Sequence, residues 1–176
     1  MGDLRWQKIL RHTLYRECLK KISEAEKDRM FCKHDMEHNE RVAALLKIYI
    51  DRENADGKNV PELINEDILY AAAYLHDIGR VKQYEDGSDH AKQSAILGEE
   101  ILKDCGYTVS EIEMIKNAII RHDSKGMEKA GEQILARLLY KADKKSRPCY
   151  NCKAVKECYW PIEKRNKLED EELIGW

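Results

Sequence analysis

The sequence predicts a single domain built of helices, and three observations lead to this prediction. Apolar residues recur at helical spacing in successive stretches along the chain. These stretches end at residues that are typical of helix ends, such as the Cys105-Gly106 pair. A chain of 176 residues is long enough for one well-packed domain and too short for two of ordinary size.

The composition argues against several classes of partner. The chain has 31 Lys and Arg residues against 33 Asp and Glu residues, and its net charge of −2 favours neither nucleic acid nor a membrane surface. No apolar run approaches the ~20 residues that span a bilayer, and the first residues lack the apolar core of a signal peptide. We therefore expect a soluble, cytoplasmic protein that holds any anionic substrate by local charge. Its six cysteines then favour free thiols or metal ligands over disulfides.

The first part of the chain predicts one or two amphipathic helices over residues 4–30, followed by a helix that begins near His38. His38 lies four residues before Val42 on the apolar stripe of this helix, so it points at the core. It is either a buried histidine satisfied by a carbonyl or a metal ligand. His34, one turn earlier, is expected to orient His38.

A polar loop at 51–62 leads into the stretch 64–75, which is too apolar for an exposed helix. Its end should therefore lie inside the domain, and His76 and Asp77 follow it directly. An imidazole and a carboxylate supply one nitrogen and one oxygen ligand to a divalent cation, and Gly79 allows the chain to turn afterwards. The alternative is an ordinary helix C-terminus with a satisfied histidine and a capping aspartate.

Two further helices follow a segment, Arg80–Asp89, that we predict to be a loop over the site. The first begins near His90. The second has start signals at Thr108 and Ser110, where Ser110 and Glu113 have capping-box spacing, and its apolar stripe leads to His122. A second buried helix thus ends in a histidine.

The last predicted helix runs from about Gly131 to Lys145. Asp143 lies four residues after Leu139 and therefore shares its inner face. A buried, unpaired carboxylate costs several kcal/mol, so Asp143 should be neutralised by a cation or by strong hydrogen-bond donors. A metal ion is the simplest explanation.

Five stretches carry these candidate ligands in a characteristic order. They are His38-Asn39-Glu40-Arg41-Val42-Ala43, Leu75-His76-Asp77-Ile78-Gly79, His90-Ala91-Lys92-Gln93-Ser94-Ala95, Ile120-Arg121-His122 and Tyr140-Lys141-Ala142-Asp143-Lys144. Together they resemble the motifs of the HD superfamily of metal-dependent phosphohydrolases. The resemblance implies an all-α, HD-type helical bundle over residues 30–147, with an N-terminal helical segment (1–29) packed on it and a cysteine-containing extension (148–176).

The resemblance also implies a metal site. One ion would be held by the residues His38, His76, Asp77 and Asp143. His90 and His122 match the histidines that bind a second ion in part of the superfamily, and the alternative is that they bind substrate phosphate beside a single ion. Mixed nitrogen and oxygen ligands suit Mn, Fe, Co or Mg.

The activity that the resemblance implies is hydrolysis of a phosphoester or phosphoanhydride bond in a nucleotide-like small molecule by metal-activated water. Asp77 would also orient or deprotonate this water. Arg80 and Arg147 are the preferred phosphate-binding pair, because guanidinium binds phosphate bidentately, and Lys144 and Lys145 could add to them. The alternative is that these four cations are ordinary solvated helix ends.

Two other classes of function stay open at this point. Some relatives of this fold are diiron oxygenases, and some only bind nucleotides as sensing modules without catalysis. The complete ligand set argues against a sensing module. Oxygen uptake with a bound diiron centre would identify an oxygenase.

Three cysteines near the C-terminus, Cys149, Cys152 and Cys158, form a Cys-x2-Cys-x5-Cys pattern whose first pair has the spacing of a metal knuckle. A zinc site or an iron–sulfur cluster needs a fourth ligand in most cases. Cys32 is the candidate, because Cys32 and Cys149 each lie six residues from a predicted metal ligand. The alternative is a set of reduced, partly buried thiols. The other two cysteines are predicted to be small core residues.

Overall fold

The computed structural model describes residues 4–58, 60–122 and 134–168. Its α-helices are α1 (Arg5–Arg11), α2 (Thr13–Ala25), α3 (Met36–Ala55), α4 (Glu66–Leu75), α5 (Arg80–Asp86), α6 (His90–Asp104), α7 (Val109–Arg121) and α8 (Ile134–Lys145). Two short 3-10 helices follow at Cys149–Asn151 and Ile162–Lys164. The described residues contain no strand, which confirms the prediction of an all-α fold.

Helix α4 lies at the centre of the bundle. It packs against α1, α3, α6, α7 and α8. Its residues Ile68, Ala71 and Leu75 have no exposed surface. The end of α4 therefore lies inside the domain, as its apolar sequence predicted, and delivers the next residues into the interior.

The two N-terminal helices pack on this core through buried apolar residues, among them Ile9, Tyr15 and Ile22. Helix α1 is also held by charge, because the Arg5 side chain reaches two other helices. Its Nε lies 2.9 Å from Asp67 Oδ2 on α4. Its two terminal nitrogens each donate to one carboxylate oxygen of Glu111 on α7, both at 2.8 Å.

The structure corrects the prediction of a loop at Arg80–Asp89, because Arg80–Asp86 form helix α5. This helix has seven residues and buries one of them, Val81, so its sequence carries little periodicity. It packs between α2 and α6, and such tertiary contacts stabilise short helices that are marginal in isolation. Gly87 ends it with a φ of 80°.

The predicted capping box of α7 is also wrong in its register. Thr108 is the N-cap, and its hydroxyl accepts a hydrogen bond from the backbone N–H of Glu111, which in turn accepts one from the Thr108 N–H. Ser110 and Glu113 lie two residues further along. The bidentate pair with Arg5 holds the Glu111 carboxylate beside the helix N-terminus, and this tertiary contact is absent from the local pattern.

Gly79 lets the turn after α4 approach α6 closely. Its N–H donates to Ser94 Oγ at 2.8 Å. A Cβ atom at this position would lie 2.2 Å from both the His90 carbonyl oxygen and the Ser94 nitrogen, which no side chain can tolerate. Because Gly79 has no side chain, the first turn of α6, which carries His90, can pack directly against the end of α4.

No helix in the three described ranges combines the length and the apolar character needed to cross a bilayer. Both cysteines predicted as core residues, Cys18 and Cys105, are buried. The predicted start of the last helix at Gly131 and the final residues, 169–176, lie outside the described part of the chain.

Candidate metal centre

Four predicted ligands meet where three helices converge. His38 lies in the first turn of α3, His76 and Asp77 follow α4, and Asp143 lies in the last turn of α8. The Nε2 atom of His76 lies 3.3 Å from His38 Nε2 and 3.3 Å from Asp77 Oδ2, and His38 Nε2 lies 3.6 Å from Asp143 Oδ1. One ligand atom from each residue lies within 4.8 Å of the others, and we call this set the first ligand group.

A second ligand group is formed by Asp77, His90 and His122, again with ligand atoms within 4.8 Å of one another. Asp77 Oδ1 lies 3.6 Å from His90 Nε2 and 3.8 Å from His122 Nε2. Asp77 therefore belongs to both groups and turns one oxygen toward each. This is the arrangement of a carboxylate that can bridge two cations.

Hydrogen bonds at the far side of two imidazoles fix their tautomers. His76 Nδ1 lies 2.7 Å from the carbonyl oxygen of Ala73, and His122 Nδ1 lies 2.5 Å from that of Ile119. A carbonyl can only accept, so each Nδ1 carries a proton and donates it. Each neutral ring then presents the lone pair of Nε2 to the centre, as metal-binding histidines do.

His38 is oriented in the same way by Ser146. The Ser146 hydroxyl donates to the Asp143 carbonyl at 2.7 Å, so its oxygen is available to accept from His38 Nδ1 at 3.3 Å. The Nε2 lone pairs of His38 and His76 consequently face each other at 3.3 Å. Two acceptors at this distance repel each other unless a cation lies between them, so the donor set fits a metal ion.

The Asp77 carboxylate supports the same conclusion. Both of its oxygens are buried, and neither accepts a hydrogen bond from a described residue. Burial alone would raise the pKa of Asp77, but the Arg80 guanidinium, whose Nε lies 3.0 Å from Oδ1, holds it well below its ordinary value. A buried carboxylate that stays ionised without hydrogen-bond donors is suited to bind a cation.

Asp143 is ionised for a related reason. Burial opposes its ionisation, but Lys144, whose Nζ lies 2.8 Å from Asp143 Oδ2, lowers its pKa. The other oxygen, Oδ1, faces His38. The first ligand group therefore has two anionic oxygens and two neutral nitrogens, a mixed set that suits Mn, Fe or Co.

His34 lies at the edge of the centre, where sequence analysis predicted a residue that orients His38. Its ring packs edge-on against that of His38, with ring centroids 5.6 Å apart, and its Nε2 lies 3.8 Å from Asp77 Oδ2, while Nδ1 lies 2.5 Å from Glu26 Oε1. Tyr84 donates to the same Glu26 oxygen. Burial would raise the pKa of Glu26, but these hydrogen bonds lower it to about 2.

The Glu26 and Tyr84 side chains were missed by sequence analysis. Glu26 is the C-cap of α2, and Tyr84 lies on α5, which was predicted to be a loop. No local motif marks either residue. The burial of Glu26 is the feature that distinguishes it from other glutamates. This burial results from the packing of α2 on α5, so the sequence does not show it.

A large basic cavity of about 800 Å³ lies beside Asp143 at the end of α8. Eight of its twelve lining residues are Lys or Arg, and they include Lys144, Lys145 and Arg147. Lys144 connects the cavity to the first ligand group, because its ammonium also contacts Asp143. Arg80 is not among the lining residues and lies instead against Asp77.

The remaining predicted ligands, Cys32, Cys149, Cys152 and Cys158, all line a separate cavity of about 260 Å³. They are free thiols, and no three of their sulfur atoms lie within 4.8 Å of one another in the part of the chain described.

Comparison with known proteins agrees with this geometry. The family model described as HD domain matches residues 35–147, which is more than half of the chain and includes all six candidate ligands of the two groups. The chain is also 41% identical over 162 residues to a protein of Clostridium beijerinckii described as an uncharacterized protein, an alignment that covers 92% of this chain and 96% of the relative. No solved structure matches the chain. The chain therefore belongs to the HD domain family.

Proposed function

We propose that the protein is a metal-dependent phosphohydrolase that cleaves a phosphoester or phosphoanhydride bond in a nucleotide-like small molecule. The observation that carries the proposal is Asp77, which turns its two oxygens toward two separate ligand groups beside a basic cavity. Membership of the HD domain family supports the same class of reaction.

The first ligand group would hold one divalent cation and the second group would hold another. When bound, such cations supply a water of lowered pKa (~7) and neutralise charge on the phosphoryl oxygens. The chain's own contribution is to fix three imidazoles in the tautomer that offers Nε2, through Ala73, Ile119 and Ser146. Because these hydrogen bonds form before any ligand binds, the imidazole rings need not reorient during the reaction, and the free energy that such reorientation would cost is avoided.

Two residues would position and activate the attacking water. Asp77 is ionised and accepts no hydrogen bond from a described residue, so it can orient a water or accept its proton. Arg80 lies 3.0 Å from Asp77 and would keep the carboxylate in place while facing the reacting phosphate.

The basic cavity would bind the rest of the substrate. Its lining includes one acidic residue, Glu163, against eight cations, in a chain whose net charge is −2. Its volume of about 800 Å³ lies within the range of cavities that bind ligands of nucleotide size. Arg147 is held there by its stack on Trp160 at 4.5 Å and by a hydrogen bond to the Lys144 carbonyl at 2.8 Å.

The proposal is tested by measuring bound metal and phosphate release with one pair of variants. The purified chain, supplied with Mn²⁺, should release phosphate from at least one member of a panel of nucleoside mono-, di- and triphosphates and dinucleoside polyphosphates. Asp77→Ala should lose Mn²⁺ from both ligand groups and lower kcat/KM by at least about 100-fold, because a bridging ligand serves both ions.

Asp104→Ala is the matched control, since Asp104 is an exposed carboxylate at the far end of α6. It should keep the metal content and the activity of the parent chain. Full retention of metal and activity in Asp77→Ala would refute the proposal, as would a metal-loaded parent chain that releases no phosphate from any compound in the panel.

A further inference from the structure

A second cavity lies apart from the ligand groups, between the segment that precedes α3 and the segment that follows α8. Four of the chain's six cysteines line it: Cys32, Cys149, Cys152 and Cys158. Cys32 comes from the first segment and the other three come from the second. Four thiols from two distant parts of the chain thus surround one space of about 260 Å³.

The backbone around these thiols is fixed by two arginines. The Arg165 guanidinium donates to the carbonyl oxygens of Val155, Cys158 and Trp160, each at 2.8 Å. Arg29 Nε donates to the Cys32 carbonyl at 3.1 Å. The loop that carries Cys158 therefore has a defined shape even though it contains little regular secondary structure, and its cysteines are held facing the cavity.

Charge in this cavity suits an anionic cofactor. Lys33, Arg41 and Arg165 line it, against two acids, Asp35 and Glu37. Asp35 is occupied by capping α3, and Glu37 pairs with Arg41. A centre ligated by four thiolates carries net negative charge, which the remaining cations would offset.

The spacing of the sulfur atoms distinguishes two kinds of centre. A zinc ion with Zn–S bonds of ~2.3 Å brings its four sulfurs to roughly 3.8 Å of one another. No three of these sulfurs lie within 4.8 Å of one another in the described residues, so the set is wider than a zinc site requires. An iron–sulfur cluster, which is also held by four cysteine thiolates, spreads its ligands over several iron atoms and fills a larger space.

We propose that Cys32, Cys149, Cys152 and Cys158 bind an iron–sulfur cluster that fastens the C-terminal segment to the start of α3. The cluster would hold the segment from which Arg165 and Asn166 reach the basic cavity. Asn166 already contacts the end of α8 through hydrogen bonds to the carbonyls of Lys144, Lys145 and Arg147. The cluster would thus stabilise one wall of the cavity without taking part in the reaction.

The test is the iron and acid-labile sulfide content of the full chain purified without oxygen. We expect about four irons and four sulfides per chain in addition to metal at the His and Asp groups, with a broad visible absorption band. The sulfide content decides the question, because the His and Asp groups bind metal ions without inorganic sulfide. One zinc per chain without sulfide, or neither zinc nor sulfide, would overturn the proposal.

A pair of cysteine variants locates the cluster. Cys152→Ala should lose most of the sulfide and the absorption band, whereas Cys105→Ala, which removes a buried thiol remote from the cavity, should keep both. Retention of sulfide in Cys152→Ala would overturn the assignment. Asp77→Ala should keep the cluster, so the failure of the phosphohydrolase proposal and the failure of this one give different results. If Cys152→Ala does not fold, the sulfide content of the parent chain still decides.

Discussion

Asp77 presents Oδ2 to His76 at 3.3 Å and Oδ1 to His122 at 3.8 Å, and this division of one carboxylate between two groups organises the centre. The histidines can share it because their far nitrogens are occupied by backbone carbonyls in the last turns of α4 and α7. Each carbonyl lies three residues before its histidine in the last turn of its helix, and that of Ile119 also accepts from the backbone N–H of His122 at 3.3 Å. A helix end thus supplies both the ligand and the group that orients it.

Gly79 is the residue whose replacement should test the packing of this centre. Gly79→Ala would place a Cβ 2.2 Å from backbone atoms of His90 and Ser94, which cannot move aside as a flexible side chain could. We expect a loss of at least about 1–3 kcal/mol in the free energy of unfolding, measured by urea denaturation, together with weaker metal binding at the second ligand group.

Gly98→Ala is the matched control for this substitution. Gly98 also lies in the interior of the structure, but a Cβ there would meet its nearest neighbour, Leu75 Cδ1, at 3.6 Å, an ordinary contact. Because alanine is favoured over glycine inside a helix, this variant should be stabilised by up to about 1 kcal/mol. Equal stability of the two variants would show that Gly79 is not required for close packing.

The candidate ligands themselves could be predicted from the sequence because each sits at the end or on the inner face of an apolar helix. The surrounding residues could not. Glu26 contacts His34, and Tyr84 reaches the same Glu26 oxygen from a helix far along the chain, so no spacing rule connects the three residues. Arg80 follows Asp77 by three residues, yet its contact with that carboxylate, rather than with the basic cavity, depends on the path of α5.

At the scale of helices, the spacing of apolar residues predicted those helices that bury a long apolar stripe. It failed to predict helices that bury little. Helix α4 places Ile68, Ala71 and Leu75 in the core, and its position followed from composition alone. Helix α5 buries Val81 and is stabilised mainly by its neighbours, so the pattern predicted a loop. The capping box of α7 was assigned to the wrong pair for the same reason, since Arg5 from α1 helps to fix Glu111.

The Arg5 contact should make the attachment of α1 dependent on pH. The hydrogen-bonded Arg5 guanidinium lowers the pKa of Glu111 to about 2, so the pair stabilises the fold fully above the ordinary value of 4.5. The contribution is lost as the pH falls from about 4.5 through about 2. Glu111→Gln removes the charge but keeps the capping-box side chain, because glutamine also serves at that position.

We therefore expect Glu111→Gln to lower the free energy of unfolding by about 1.5–3 kcal/mol at pH 7 and by much less at pH 2.5. Urea denaturation at both pH values measures the difference. Glu113→Gln is the control on the same helix, since its partner Lys116 lies in a more exposed pair, and it should cost at most about 1 kcal/mol. A Glu111→Gln deficit that is unchanged between pH 7 and pH 2.5 would contradict an electrostatic origin.

At the scale of the whole molecule, charge is distributed very unevenly. A net charge of −2 conceals a cavity with eight cationic lining residues beside a centre with one buried and one half-buried carboxylate. The composition shows that the chain as a whole carries little net charge. It could not predict that cations gather in one cavity, because the residues that line this cavity come from both α8 and the C-terminal segment. The fold thus places opposite charges side by side, an arrangement that suits a cation at the centre and an anion next to it.

The buried charge of the centre should make the stability of the whole domain depend on metal. Asp77 and Asp143 repel each other, and two imidazole lone pairs face each other at 3.3 Å, so a cation that binds the folded state relieves both repulsions. For the chain stripped with a chelator, Mn²⁺ at 100 times its Kd should add ~2.7 kcal/mol of stability. This corresponds to a rise in Tm of about 5–10 °C for a domain of this size.

Asp77→Asn should abolish most of this rise, because it removes a ligand of both groups, whereas Asp104→Asn should respond like the parent chain. Thermal denaturation followed by circular dichroism, with and without added Mn²⁺, measures the response. The comparison within each variant separates loss of metal binding from any change in intrinsic stability. An equal rise in Tm for Asp77→Asn and the parent chain would mean that Mn²⁺ binds elsewhere and that the two ligand groups do not form the metal centre.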